Sequence, residues 1–118
     1  MHVVWCLGVF LVTGVMQDFV DLTHRVSLDD GTEVIAAVSV DHPKMPPKPG
    51  YVRGWNFDCG IVVAPIPENP SHCRLQYVVD TQIGGSIPLA LLNKTIGNSL
   101  LDTSSNFRKY LAKNGYSE

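Results

Sequence analysis

Along this chain the hydrophobic positions change period once, from steps of two to steps of three and four, and the change separates predicted strands from a predicted helix. Over residues 18–28, Val20, Leu22, His24, Val26 and Leu28 alternate with Asp21, Thr23, Arg25 and Ser27, the pattern of a half-buried strand. Asp29-Asp30-Gly31 then supplies a turn. The next strand, 33–40, sets Val34, Ala36, Val38 and Val40 against Ile35, Ala37 and Ser39, and the short turn predicts antiparallel pairing. A third strand is expected around 59–64, closed by Pro65 and Pro67. After a Pro67-Glu68-Asn69-Pro70 turn, a fourth spans 73–80 with Leu75, Tyr77 and Val79 opposed to Arg74, Gln76 and Asp80. Between the second and third strands, residues 42–50 hold Pro43, Pro46, Pro47 and Pro49, which cannot donate to a ladder, so this segment reads as a loop.

From residue 84 to 111 the period becomes helical. Leu89, Leu92, Ile96, Leu100, Thr103, Phe107 and Leu111 share one face, and Lys94, Asn98, Asp102, Ser105 and Lys109 share the other. Ser86 is a candidate N-cap and Pro88 a first-turn residue. Thr95, Gly97, Asn98, Ser99 and residues 103–106 are weak helix formers, and Gly97 alone costs roughly 1 kcal/mol relative to alanine. Such a helix depends on the surface it covers, either as a packed core helix or as a lid that can leave. Four strands followed by one helix read as an α+β fold, a sheet with a helix across it.

Residues 3–16 are almost wholly apolar. They are too short for a membrane-spanning helix, which needs about 20 residues. They suit a signal peptide ending near Val12-Thr13-Gly14, though without a basic leading region, or else a buried strand. A cytoplasmic location is expected, with the secretory pathway as the alternative if residues 1–14 are a signal peptide. The location decides whether the acceptor sequence Asn93-Lys94-Thr95 matters.

Composition narrows the function classes. A net charge of −2 with scattered Lys and Arg argues against nucleic acid as a partner. Cys6, Cys59 and Cys73 have no metal-binding spacing, although Cys59 and Cys73 could meet on neighbouring strands if the chain were secreted. His2, His24, His42 and His72 are too dispersed to nominate a metal site, and a core role for His24 is preferred over a ligand contact. Gly84-Gly85-Ser86 is not a nucleophile elbow, and Asp29 and Asp30 look like turn residues. No enzyme, cofactor or metal is therefore expected. Arg53 and Asp80 are the expected structural ion pair.

Several stretches in fixed order then carry a resemblance: Asp18-Phe19-Val20-Asp21-Leu22, Asp29-Asp30-Gly31-Thr32, Ser39-Val40-Asp41-His42-Pro43, Pro46-Pro47-Lys48-Pro49-Gly50-Tyr51-Val52-Arg53-Gly54, Cys59-Gly60, and Asp80 followed by Gly84-Gly85-Ser86-Ile87-Pro88. In order and spacing they resemble the START (steroidogenic acute regulatory protein-related lipid transfer) domain over residues 17–111, and are most similar to its small soluble sterol-binding members. The resemblance implies a helix-grip fold, a curved antiparallel sheet with a long C-terminal helix around a lipid-sized tunnel. It also implies carriage of one lipid, a sterol first, between membranes that the protein touches transiently, without a cofactor. Carried over, Leu89, Leu92, Ile96, Leu100 and Phe107 would roof the tunnel, and Val38, Leu75, Tyr77 and Val79 would wall it. Only the C-terminal half of the domain is matched, at residues 17–113, leaving 1–16 as an apolar segment of open status and 114–118 as a tail. The family's usual Ser-Pro-Arg-Asp is replaced by Val15-Met16-Gln17-Asp18. The alternative is a truncated START product with no closed tunnel, inactive or serving as an interaction module. An enzyme of the wider helix-grip superfamily comes last.

Overall fold

The computed structural model describes residues 1–10, 15–84 and 87–116, with the backbone alone at 5–10 and 15. They form two units, Met1–Gly85 and Ser86–Glu118. The first holds strands β1 (His2–Phe10), β2 (Val15–Ser27), β3 (Glu33–Ser39), β4 (Val52–Arg53), β5 (Trp55–Asn56), β6 (Cys59–Ile66), β7 (Asn69–Val78) and β8 (Thr81–Gln82); the second holds helix α1 (Leu89–Lys113). The class is α+β, as predicted. The main sheet runs β1-β2-β3-β6-β7 with antiparallel neighbours, β4 adds a short parallel pairing to β2, and β5 pairs with β8.

Turn chemistry sets the register. In the β2–β3 turn Gly31 takes φ +83, which glycine alone adopts freely. The Asp30 carboxylate accepts the Thr32 N–H at 2.9 Å, and the Leu28 N–H donates to the Thr32 carbonyl at 2.8 Å. Asp21 therefore pairs with Ser39 and Ser27 with Glu33.

Residues 2–10 form a strand paired along its whole length with β2, and Val12-Thr13-Gly14 lies outside the described residues. Three local expectations change. Pro65 does not close β6, because β3 ends at Glu33 opposite Val63, leaving β6 one neighbour there, the situation in which a strand tolerates proline. Cys59 and Cys73 do lie on adjacent strands, but Cys73 pairs with Pro65, six residues along β6 from Cys59 and about 20 Å away by strand rise. Both thiols are free. His24 is exposed rather than buried.

Helix α1 starts after Pro88, which occupies the N-cap with no side-chain cap; Ser86, the expected cap, lies outside the described residues. Its C-terminus is built better than its N-terminus. Gly115 sits at φ +84, its N–H donates to the Ala112 carbonyl, and the Tyr116 N–H donates to the Leu111 carbonyl at 3.0 Å, a Schellman closure. The Thr95 hydroxyl bonds back to the Leu91 carbonyl at 2.8 Å, a local use of threonine in a helix. No residue of α1 is buried; Leu92, Thr95, Ile96, Leu100 and Leu111 are half-buried, and the predicted polar face is exposed throughout.

Candidate functional site

Cross-strand partners share a face, so the ladder sorts the side chains of the first unit. One row runs Arg25–Ile35–Ile61–Tyr77 across β2, β3, β6 and β7, and the next runs Ser27–Glu33–Val63–Leu75. Along the same face lie the pairs Ala37–Cys59 and Asp21–Ser39. This Tyr77 face is therefore apolar toward β6 and β7 and polar at the Asp21 corner. The opposite face carries Leu22–Val38, His24–Ala36–Gly60–Val78 and Val26–Val34–Val62–Gln76.

The polar corner is closely bonded. The Ser39 hydroxyl donates to Asp21 Oδ1 at 2.7 Å, the Asn56 side-chain amide donates to Asp21 Oδ2 at 2.8 Å, and the Asn56 backbone N–H donates to Ser39 Oγ at 2.8 Å. The Thr81 hydroxyl completes the chain by donating to Asn56 Oδ1 at 2.6 Å. Asp21 and Ser39 are buried, and burial is tolerable because both carboxylate oxygens are bonded. Beside them Cys59 Sγ lies 3.3 Å from the Asp80 N–H and 3.4 Å from the Asp80 carbonyl. Gln17 is fully buried and donates to the Gly84 carbonyl at 3.0 Å; its Oε1 has no partner among the described residues. Gly84 must be small there, since a Cβ would stand 2.6 Å from Val52 Cγ1.

Arg53 pairs with Asp18, not with Asp80. The guanidinium forks onto the carboxylate, Nε to Oδ1 at 3.0 Å and Nη2 to Oδ2 at 2.9 Å, with Asp18 wholly buried. It also donates to the Met45 and Pro46 carbonyls. One side chain thus ties the proline loop to β2. The hydrogen bond to Asp18 raises the Arg53 pKa, against burial and with help from the Asp18 and Asp41 charges. Next to this pair Gly54 is buried where a Cβ would overlap the Phe19 ring.

The structure brings together some of the expected site residues and separates others. Leu75 and Tyr77 share a face, and both are exposed. Val38 points to the other face, opposite Leu22, so it cannot join them in one wall. The alternation of β3 places Ile35 there instead, with Ile61 and Val63 from β6. Val79 stands just past the end of β7 and is half-buried. On α1, Leu92, Ile96 and Leu100 form a half-buried stripe, whereas Leu89 and Phe107 are exposed. Among the described residues no group of three or more His, Cys, Asp or Glu could hold a metal ion, and no helix is long and apolar enough to cross a membrane. The corner network escaped sequence reasoning because Asn56 and Thr81 sit in two-residue strands without periodicity. Only Asp21, on the polar side of β2, gave a signal.

Comparison with known proteins completes the picture. Human StAR-related lipid transfer protein 6 is 34% identical over 86 residues, covering 73% of this chain and 39% of that protein. StAR-related lipid transfer protein 5 of Mus musculus is 35% identical over 97 residues, 82% of this chain and 46% of that one. The chain thus spans less than half the length of these curated relatives. The solved structure of human StAR-related lipid transfer protein 5 superposes with a TM-score of 0.87 at 30% identity, over 94% of this chain and 53% of that one, and shows that the fold is helix-grip. Human STARD10, at 23% identity and a TM-score of 0.67, over 97% of this chain and 42% of that one, agrees in fold alone. The model of the START domain matches residues 9–117, beginning ahead of the Gln17 at which the resemblance starts. The chain belongs to the START domain family.

Proposed function

We propose that this chain binds a single lipid and takes part in its transfer between membranes, with a sterol-like amphiphile as the guest. The observation that carries the reading is the Tyr77 face, where Ile35, Ile61, Val63, Leu75 and Tyr77 stand in register beside the Asp21–Ser39–Asn56–Thr81 corner. An apolar wall ending in hydrogen-bonding groups matches a molecule with an apolar body and one hydroxyl. Covering about 400 to 500 Å² of such a molecule is worth on the order of 10 kcal/mol against water. A bilayer gives the same shelter, so a carrier needs only near parity with the membrane it touches. Membership in the START family supports this reading, and the choice of sterol extends it.

A second reading is favoured by a different observation. Val38 and Val78 on one face and Ile35, Leu75 and Tyr77 on the other are all exposed, a surface that also suits an interaction module without a guest. The two readings separate by mass spectrometry of lipid co-purified with the full chain. A stoichiometric sterol or other lipid is the expected result, and a chain that purifies empty and takes up no fluorescent sterol overturns the carrier reading. An Ile96→Asp variant then asks whether the helix stripe serves the same guest. Lost uptake with an unchanged helical content is the expected outcome, and normal uptake removes the helix from the proposal.

A further inference from the structure

Strand β7 ends one side of the main sheet with β6 as its single neighbour among the described residues, and every one of its residues is exposed. We infer that this edge pairs with the same edge of a second copy of the chain, antiparallel about a two-fold axis at Leu75, giving a weak dimer with one continuous sheet; the inference does not depend on the carrier reading. Backbone direction is the first reason. A Cβ on Gly60 would stand 2.7 Å from the Ile35 carbonyl oxygen, so that carbonyl points at β6, and Ile35 and Ile61 form a hydrogen-bonded pair. By alternation Gly60, Val62 and Ala64 turn their main-chain groups to β7, toward Val78, Gln76 and Arg74. The N–H and C=O groups of Cys73 and Leu75 therefore face away from β6, along the open edge. Pro65, the partner of Cys73, fits the same alternation, because its missing N–H falls on the side where β6 has no neighbour.

The second reason is that the edge lacks the usual protection. Natural edges are blunted by lysine, proline, inward charges or a bulge. From 71 to 78 this strand has no proline, lysine or acidic residue, and it pairs one-to-one with β6 over 73–78, the irregularity lying beyond that stretch at Pro65 and Ile66. Self-complementarity is the third reason, and it selects a second copy as the occupant. With the axis at Leu75, each Arg74 stands across from Gln76 of the other copy, and the two Leu75 residues meet and carry the Val63–Leu75 row into the other sheet. The neighbouring registers are worse. An axis at Arg74 sets the two guanidinium groups face to face, one at Cys73 sets Arg74 against His72, and one at Gln76 sets Arg74 against Val78.

Position 76 tests the pairing, because Gln76 is exposed, lies on the face opposite Leu75 and meets Arg74 twice across the axis. One strand pairing is a small interface, so sedimentation equilibrium of the full chain from micromolar to near-millimolar concentration is expected to show a reversible monomer and dimer. Gln76→Glu should tighten the dimer about fivefold through two Glu–Arg pairs, and Gln76→Arg should loosen it by about as much. Net charge alone predicts the reverse order, since the first variant adds to the chain's charge of −2 and the second reduces it. Amide exchange supplies a reading that stacking of the apolar faces would not give. The Leu75 N–H of the parent should exchange more slowly as concentration rises, whereas the Gln76 N–H, bonded to β6, should be slow throughout. A chain that stays monomeric, variants that shift together or in the reverse order, or a Leu75 N–H whose exchange ignores concentration overturns the inference. So does open-ended growth, which a two-fold contact cannot produce.

Discussion

Leu75 and Val78 provide a matched test of which sheet face meets a lipid. Both lie on β7, at 46% and 55% exposure, and the register turns them to opposite faces. Fully burying a leucine side chain is worth about 1.5 to 3 kcal/mol, so the part of Leu75 still open to water represents about 1 kcal/mol to a guest that covers it. Leu75→Ala should therefore weaken binding of a fluorescent sterol about fivefold. Leu75→Asp should do more, because its cross-strand partner is Val63 and no cation stands opposite to pair a carboxylate held under a lipid. A loss beyond about a hundredfold is expected from that uncompensated desolvation. Val78→Asp should bind within about twofold of the parent if the guest lies on the Tyr77 face as proposed, since Val78 is on the opposite face, where its partner is Gly60. Both variants should melt within a few degrees of the parent, because both positions are open in the fold. Equal weakening by the two aspartates, or normal binding by Leu75→Asp, would refute the assignment of the Tyr77 face.

Three further outcomes follow from local geometry. Gly97→Ala should raise helical content and stabilise α1 by about 1 kcal/mol, seen by circular dichroism, because a Cβ there meets nothing within 4 Å. Arg53→Gln strips Asp18 of both forked bonds and releases the Met45 and Pro46 carbonyls, so urea unfolding should show a loss of about 3 kcal/mol, with Arg53→Lys intermediate because an ammonium cannot fork. Thermal stability should be flat near neutrality and fall on acidification. Asp30 is held below the ordinary carboxylate range chiefly by the Thr32 N–H, and Glu33 chiefly by a Ser27 hydrogen bond and then by Arg25. A carboxylate lowered in this way stabilises the fold above its unfolded value, and the contribution is lost as pH falls through the lowered one. The combined variant Asp30→Asn, Glu33→Gln should therefore show a shallower acid slope, and an unchanged slope would assign it to other groups.

Where one period repeated, the elements were legible. Strict alternation located β2 and β3 and the turn between them, and the steps of three and four located α1 to within a few residues at its start. Short elements gave no such signal. β4, β5 and β8 are two residues each, too brief for alternation, and they form only because β2 and the loops around it bring them together. Long-range pairing was equally hidden: Arg53 and Asp18 are 35 residues apart, and nothing in spacing favours Asp18 over Asp80. Val38 parts from Leu75 and Tyr77 for a different reason. On β3, Val34, Ala36 and Val38 share one face and Glu33, Ile35, Ala37 and Ser39 the other, and both carry apolar residues, so which of them continues the Leu75 and Tyr77 rows is set by the register with β6 and β7.

The distribution of burial in the first unit gives that choice a physical basis. Among the described residues, its buried set contains five polar side chains, Gln17, Asp18, Asp21, Thr32 and Ser39, against Val20 and Ile83, while Ile35, Val38, Leu75, Tyr77 and Val78 remain exposed. A soluble sheet usually fixes its register by hiding its apolar rows, since a slip of one residue would turn them to water. Here the Asp18–Arg53 fork and the Asp21–Ser39–Asn56 bonds penalise the same slip, because each would leave a buried carboxylate short of partners. Alignment no longer depends on apolar contact alone, and the open rows are available to a guest. The two faces are not equal in this respect. The Asp21 corner lies on the Tyr77 face, so that face alone combines a fixed polar end with an open apolar row, and it is there that an amphiphile gains from both of its parts.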